Sequence, residues 1–339
     1  MIEVLLLVFV MVATYYYLFR NEGFVICIRN IRKIGMQGFC ISLALLLAYI
    51  LLESVIIKII MQSFNKKVAI GQCCKYSFIG FFFYCISPAG SAELPAQLYV
   101  MHRDGINVSI SVLILALVTI MFKVSIILFG LSIYVFQPDR VMEMIVPVDP
   151  LCVLGLILSG AVVALLVCTL SIPENMKKGA VFSVKILNRI GIVKDTDKWN
   201  KKADIFFLNY SGAIKLCRGH TGMLCVILVI TIMQRICFLA ITAVSCHAIG
   251  VTGIGGAEIT ALQAMIQLAT EMLPLPGGMG ANEIIYMKTF TPAFGNGTLT
   301  TLIASRGISY YCQLVICGLA TATITIYSKI KRRKGEREA

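Results

Sequence analysis

Apolar positions in this chain fill long blocks rather than alternating with polar ones. Five blocks run from Phe39 to Ile60, Val108 to Phe136, Leu151 to Ile172, Thr221 to Ile249 and Leu299 to Tyr327. Each meets or exceeds the roughly 20 residues that a helix needs to cross ~30 Å of hydrocarbon. A closed barrel would show short alternating segments instead. A sixth block, Met1 to Phe19, lacks both a Lys or Arg ahead of the apolar run and a small-residue cleavage site, two marks of a removed signal peptide. Tyr15, Tyr16 and Tyr17 close it as an interfacial aromatic belt would, and a retained helix is expected there. The pattern predicts an all-α, polytopic membrane helix bundle with about six full spans.

Two more apolar regions are interrupted. The first reads Ser87-Pro88-Ala89-Gly90-Ser91-Ala92-Glu93-Leu94-Pro95-Ala96-Gln97, the second Pro274-Leu275-Pro276-Gly277-Gly278-Met279-Gly280-Ala281-Asn282-Glu283. Proline inside a helix costs ~3 kcal/mol or more, and each glycine about 1 kcal/mol against alanine, so a continuous helix is not expected through either stretch. The apolar segments ahead of them, Cys73 to Ile86 and Ala257 to Leu273, are too short to span singly. Two re-entrant broken-helix hairpins, one in each half, are therefore expected, as an inverted repeat. Backbone left unpaired at membrane depth survives only when buried in protein or lining a wet cavity, and such paired interruptions point to a transporter's central site. A kinked pair of packing helices is the plainer alternative.

Ionisable residues inside the apolar regions fit a wet interior. Lys123, Arg235, Arg306, Glu258, Glu271 and Glu283 lie there, where a charge costs at least ~2.5 kcal/mol and faces a cavity or a partner. Gln263, Gln267 and Glu271 recur every four residues and share one helical face.

Composition agrees. Of 339 residues 58% are hydrophobic and 14% charged, with mean hydropathy +0.88; soluble domains are nearer half apolar and a quarter charged. The net charge of +13 is uneven. Ten basic residues between Ser171 and Arg218 face Glu174, Asp195, Asp197 and Asp204, and six from Lys329 onward face Glu336 and Glu338. Gln137 to Pro150 instead holds one Arg and three acids. The positive-inside rule assigns the 171–218 loop and the C-terminus to the cytoplasm and 137–150 to the outside. Arg20, Arg29, Arg32 and Lys33 compete with Lys66 and Lys67 for the inner side of one span. Alternation of the later spans favours Lys66 and Lys67 inside.

These juxtamembrane charges suit anionic lipid, and no nucleic acid is expected to bind directly. Interfacial amphipathic helices are expected in the basic loop, with Trp199, the only tryptophan, at the interface. The whole chain, 1–339, reads as one integral membrane domain: a first half to about 170, the loop 171–218, a second half of about 219–328 and a basic tail, 329–339. The 13 cysteines show no C-x-x-C spacing and read as packing residues. His102, His220 and His247 are far apart, so neither a metal nor a cofactor is expected. No P-loop sequence occurs, and transport would run downhill or with an ion.

Pro95-Ala96-Gln97-Leu98-Tyr99, Asp104-Gly105-Ile106, Pro274 to Glu283, and Ser305-Arg306-Gly307-Ile308-Ser309-Tyr310-Tyr311 together resemble the transmembrane flippase region of lysylphosphatidylglycerol synthases. The likeness extends more weakly from about residue 36 to 328. Ala92-Glu93 stands where the family has a Gly-Gly pair, so no family role passes to Glu93, and Asn282 stands where serine is common. Full-length members carry a soluble aminoacyl-transferase domain after this region; eleven residues, Lys329 to Ala339, follow it here, so a stand-alone form is expected.

The resemblance implies handling of phosphatidylglycerol or its lysyl derivative in a bacterial cytoplasmic membrane, with resistance to cationic antimicrobial peptides. It makes a flippase the first expectation, with a substrate groove of Pro88, Gly90, Pro95, Gln97, Tyr99, Glu271, Pro276, Gly277, Gly278, Gly280, Glu283 and Arg306. Glu271 and Glu283 would receive a lysyl ammonium, and Arg306 a phosphate or a structural partner. No catalytic residue is assigned. Two alternatives stay open: a phosphatidylglycerol lysyltransferase acting with a separate catalytic partner, and a transporter of a small solute or ion.

Overall fold

The computed structural model describes residues 34–64, 66–171, 207, 221–271, 273–275 and 277–338. The helix expected over Met1 to Phe19, the amphipathic helices and Trp199 of the basic loop, and Pro276 lie outside the described residues. Every regular element among the described residues is helical. Five stretches are long and apolar enough to cross a membrane, which accords with a polytopic bundle.

The first half runs α1 (Gly35–Ser63), α2 (Ile70–Ile86), α3 (Glu93–Arg103) and α4 (Val108–Phe136). A short α5 (Asp139–Ile145) and the long α6 (Asp149–Ser171) follow. The second half runs α7 (Thr221–Ile249), α8 (Gly256–Thr270), α9 (Ala281–Phe294), α10 (Thr298–Arg306) and α11 (Gln313–Glu338). Gly307–Cys312 joins α10 to α11 as a π-helical turn. The halves share one order: a long helix, a helix interrupted near its middle, then another long segment. The backbone of α11 continues through the basic residues from Lys329 to Glu338.

Side-chain chemistry fixes the ends of these helices. Asn107 caps α4 by accepting from the Ser109 amide at 2.9 Å. Glu258, expected in the interior, instead reaches back to the Gly255 amide at 2.8 Å and caps α8 at an exposed site.

Packing centres on α1 and α7, which lie against each other along their lengths. α2 packs on α1 and α11, and α8 on α4, α6 and α7. One apolar core gathers α4, α6, α7, α8 and α9; a second gathers α1 to α4. A small cluster of Cys85, Met279 and Tyr310 sits where the two interrupted helices meet. The described cysteines are all free thiols, and Cys73, Cys85, Cys152, Cys246 and Cys317 are buried, as packing residues should be.

Close approach of helices rests on small residues, as is usual in membranes. A Cβ on Gly155 of α6 would stand 2.0 Å from the Leu268 carbonyl oxygen of α8. That oxygen belongs to backbone and cannot swing aside. Gly155→Leu is therefore expected to force α6 off α8 and destabilise by about 1–3 kcal/mol. Gly160→Leu, where nothing lies within 4 Å, should leave the thermal midpoint in detergent unchanged. Equal midpoints for the two variants would contradict this packing.

Candidate functional site

The two interruptions are built differently and meet at the centre. In the first, Ser87 ends α2. Its hydroxyl donates to the Phe83 carbonyl at 2.7 Å and accepts from the Ala92 amide at 3.0 Å. The Gly90 amide donates to the Ser87 carbonyl and the Ser91 amide to the Pro88 carbonyl. The break thus satisfies its own backbone before α3 begins. The second is held by side chains. Gly277, Gly278 and Gly280 take φ values of 54°, 68° and 81°, open to glycine at little cost. Glu283 accepts from the Gly280 amide at 2.6 Å and from Arg306 Nε at 2.8 Å. Arg306 also donates to the Gly277 carbonyl at 3.0 Å, tying the break to α10. Across the gap, the Ala89 amide donates to the Leu275 carbonyl at 3.4 Å, and Tyr310 Oη to the Cys85 carbonyl at 2.9 Å.

A cavity of about 50 Å³ lies between these breaks, room for a few waters. Its walls include Gly90, Gln263, Gln267, Glu271, Asn282 and Arg306. Glu271 directly follows α8, and its Oε1 accepts from Lys123 of α4 at 2.9 Å. Arg235 of α7 approaches the same oxygen at 4.0 Å. This guanidinium is fully buried. It stacks 3.5 Å from the Phe122 ring centre and donates to the Phe122 carbonyl at 2.9 Å. Glu93 stands in the first turn of α3, and Glu53 lies within α1. Glu53 is buried and accepts from Gln97 Nε2 at 3.0 Å. Gly80 of α2 makes room for that amide, since a Cβ there would fall 2.0 Å from Gln97 Nε2.

Of the residues expected to form a groove, Gly90, Glu271, Gly277, Gly278 and Arg306 line this cavity. Glu283 pairs with Arg306 and caps α9 together with Gly280. Pro88 sits within the first break. Gln97 turns to Glu53. Pro95 and Tyr99 occupy the exposed face of α3, Tyr99 at 66% exposure. Glu53 is not among the expected residues, since a single acid in the apolar block of α1 reads equally as a snorkelling one. Lys123 and Arg235 were legible as buried charges, yet their common partner was not. Among the described residues no cluster of three or more His, Cys, Asp or Glu forms a metal site.

Removing one member of the ion cluster strands the others in a low-dielectric site. Glu271→Gln is expected to destabilise by about 3–5 kcal/mol, because Lys123 loses its carboxylate. Lys123→Met combined with Glu271→Gln should recover most of that loss. A thermal-unfolding double-mutant cycle checks this, and additive effects would refute the pairing.

Among curated proteins no match to the chain is found. The family model described as lysylphosphatidylglycerol synthase TM region matches residues 1–317, nearly all of the spans and both interruptions. The protein is thus a multi-pass helical membrane protein, and it belongs to the lysylphosphatidylglycerol synthase TM region family.

Proposed function

We propose that this protein translocates the headgroup of phosphatidylglycerol or its lysyl derivative across a bacterial cytoplasmic membrane, and so contributes to resistance against cationic antimicrobial peptides. The reading is carried by one observation: two interrupted helices, one from each half, meet over a cavity that polar side chains help to line. In this reading each interrupted helix is a re-entrant hairpin, the two are inverted, and the C-terminus is cytoplasmic. The headgroup passes between the breaks while its acyl chains stay in lipid.

The parts have suitable chemistry. Helix N-termini attract phosphate, and α3 and α9 both begin at the breaks, with Glu93 and Glu283 in their first turns. A phosphate arriving there competes with these carboxylates, and Arg306 stands beside it. Glu271 offers a carboxylate to a lysyl ammonium, in exchange for Lys123. At about 50 Å³ the cavity is far below the roughly 300 Å³ at which small-molecule pockets begin. Passage therefore requires the breaks to part, with the Ala89–Leu275 and Tyr310–Cys85 contacts as the latch.

The family's name supports a second reading, in which the membrane region presents acceptor lipid to a separately encoded lysyltransferase. Co-purification of such an enzyme would favour it.

The deciding assay is reconstitution in liposomes with fluorescent phosphatidylglycerol, or its lysyl derivative, in both leaflets and dithionite outside. Accelerated loss of the protected signal is expected. Glu271→Gln should slow it at least about tenfold, the factor given by ~1.4 kcal/mol of barrier. Gly160→Leu, away from the cavity, should not. Folded protein that accelerates neither lipid would overturn downhill translocation.

A further inference from the structure

We infer that the cavity between α8 and α9 is a binding site for one monovalent inorganic cation of the alkali type, seated among Gln263, Gln267, Glu271 and Asn282. The inference does not depend on lipid translocation, because it concerns binding alone.

Gln263 Oε1, Gln267 Oε1, Glu271 Oε2 and Asn282 Oδ1 are each buried without a hydrogen-bond partner. All four residues line the same cavity. Among the described residues, the other buried side-chain atoms without a partner are hydroxyls and one arginine nitrogen. The unpartnered carboxamide and carboxylate oxygens therefore gather at one place. Leaving a buried acceptor unsatisfied costs about 1–3 kcal/mol, so four together call for an occupant that binds oxygen. Gln263 and Asn282 are only 7% and 6% exposed.

The orientation of Asn282 follows from its neighbour. Thr270 Oγ1 donates its proton to the Ile266 carbonyl at 2.9 Å, so it can only accept from Asn282 Nδ2, which lies 3.4 Å away. The Asn282 oxygen is then the atom left without a partner. Gln263, Gln267 and Glu271 follow one another by four residues toward the C-terminal end of α8, which carries the negative pole of the helix dipole. Interrupted helices in membranes place cations at such ends.

Arg306 is engaged by Glu283 and Lys123 by the other oxygen of Glu271, so neither satisfies the four free acceptors. A proton on Glu271 would leave the amide oxygens unpartnered; a monovalent cation is shared among all four. Calcium favours several carboxylate oxygens, whereas this set offers one beside Lys123 and Arg235. The cavity's size suits an ion with a water or two, not a headgroup.

Thermal unfolding of the purified full chain tests the site, with sodium, potassium and lithium chloride each compared against choline chloride at equal ionic strength. At least one alkali cation should raise the midpoint saturably by roughly 2–4 °C. If sodium is that ion, equilibrium dialysis with radiolabelled sodium should give one site per chain. Gln267→Met and Asn282→Leu remove an unpartnered oxygen, so both should fold. Each is expected to weaken the cation's apparent affinity at least about tenfold, the equivalent of ~1.4 kcal/mol. Identical midpoints in all four salts would overturn the inference, as would undiminished affinity in both variants. A shift with methylammonium but with no alkali cation would reassign the oxygens to a lipid ammonium. A shift with phosphate alone would make the site anionic in preference, and either result rejects the proposal.

Discussion

The ion pair between Lys123 and Glu271, with Arg235 behind it, is the constraint around which this bundle is arranged. A carboxylate at the end of an interrupted helix in an apolar core is untenable alone. Lys123 reaches it from α4 and Arg235 from α7, so the first half, the second half and the break are bound to one oxygen. Arg235 has little freedom in this, since Phe122 holds its guanidinium by ring and by carbonyl. The packing of α8 against α4 and α7 and the position of the break are thus aspects of one electrostatic arrangement.

The two breaks meet the same requirement by different means. The first closes on its own backbone and on Ser87, a local solution in which the chain needs little from elsewhere. The second depends on Glu283 and on Arg306, 23 residues apart. A local solution tolerates movement of the surroundings; a remote one registers it. The second break is accordingly coupled to α10, and the first is coupled chiefly to Gln97 and Glu53 through α3.

Much of this was legible in the sequence, and the physical reason differs by feature. Helices covering the blocks Val108 to Phe136 and Thr221 to Ile249 have those same ends in the structure, because a long apolar run without proline or a cluster of glycines leaves a membrane helix no other choice. The interruptions were legible because Pro and Gly act through backbone geometry, which is local. Side-chain partners were not, because they depend on helical phase between distant segments. Glu258 lies in the same kind of sequence as Glu271 yet caps a helix at an exposed site. Gln97 was placed in the groove by its neighbours in sequence, whereas Gly80 opens the space that directs it to Glu53. Glu53 itself is a single acid in a span, and nothing local distinguishes it from a snorkelling one.

The π-helical turn at Gly307–Cys312 has a consequence for the far end of the chain. Such a turn carries one residue more than an α turn, and one residue corresponds to about 100° of rotation. Arg306 before the turn and Gln313 after it both reach the cavity wall, so the angular setting of α11 on α2 is fixed by that single additional residue. A chain one residue shorter here would keep its composition, its hydropathy and all its spans, and would turn a different stripe of α11 toward the centre.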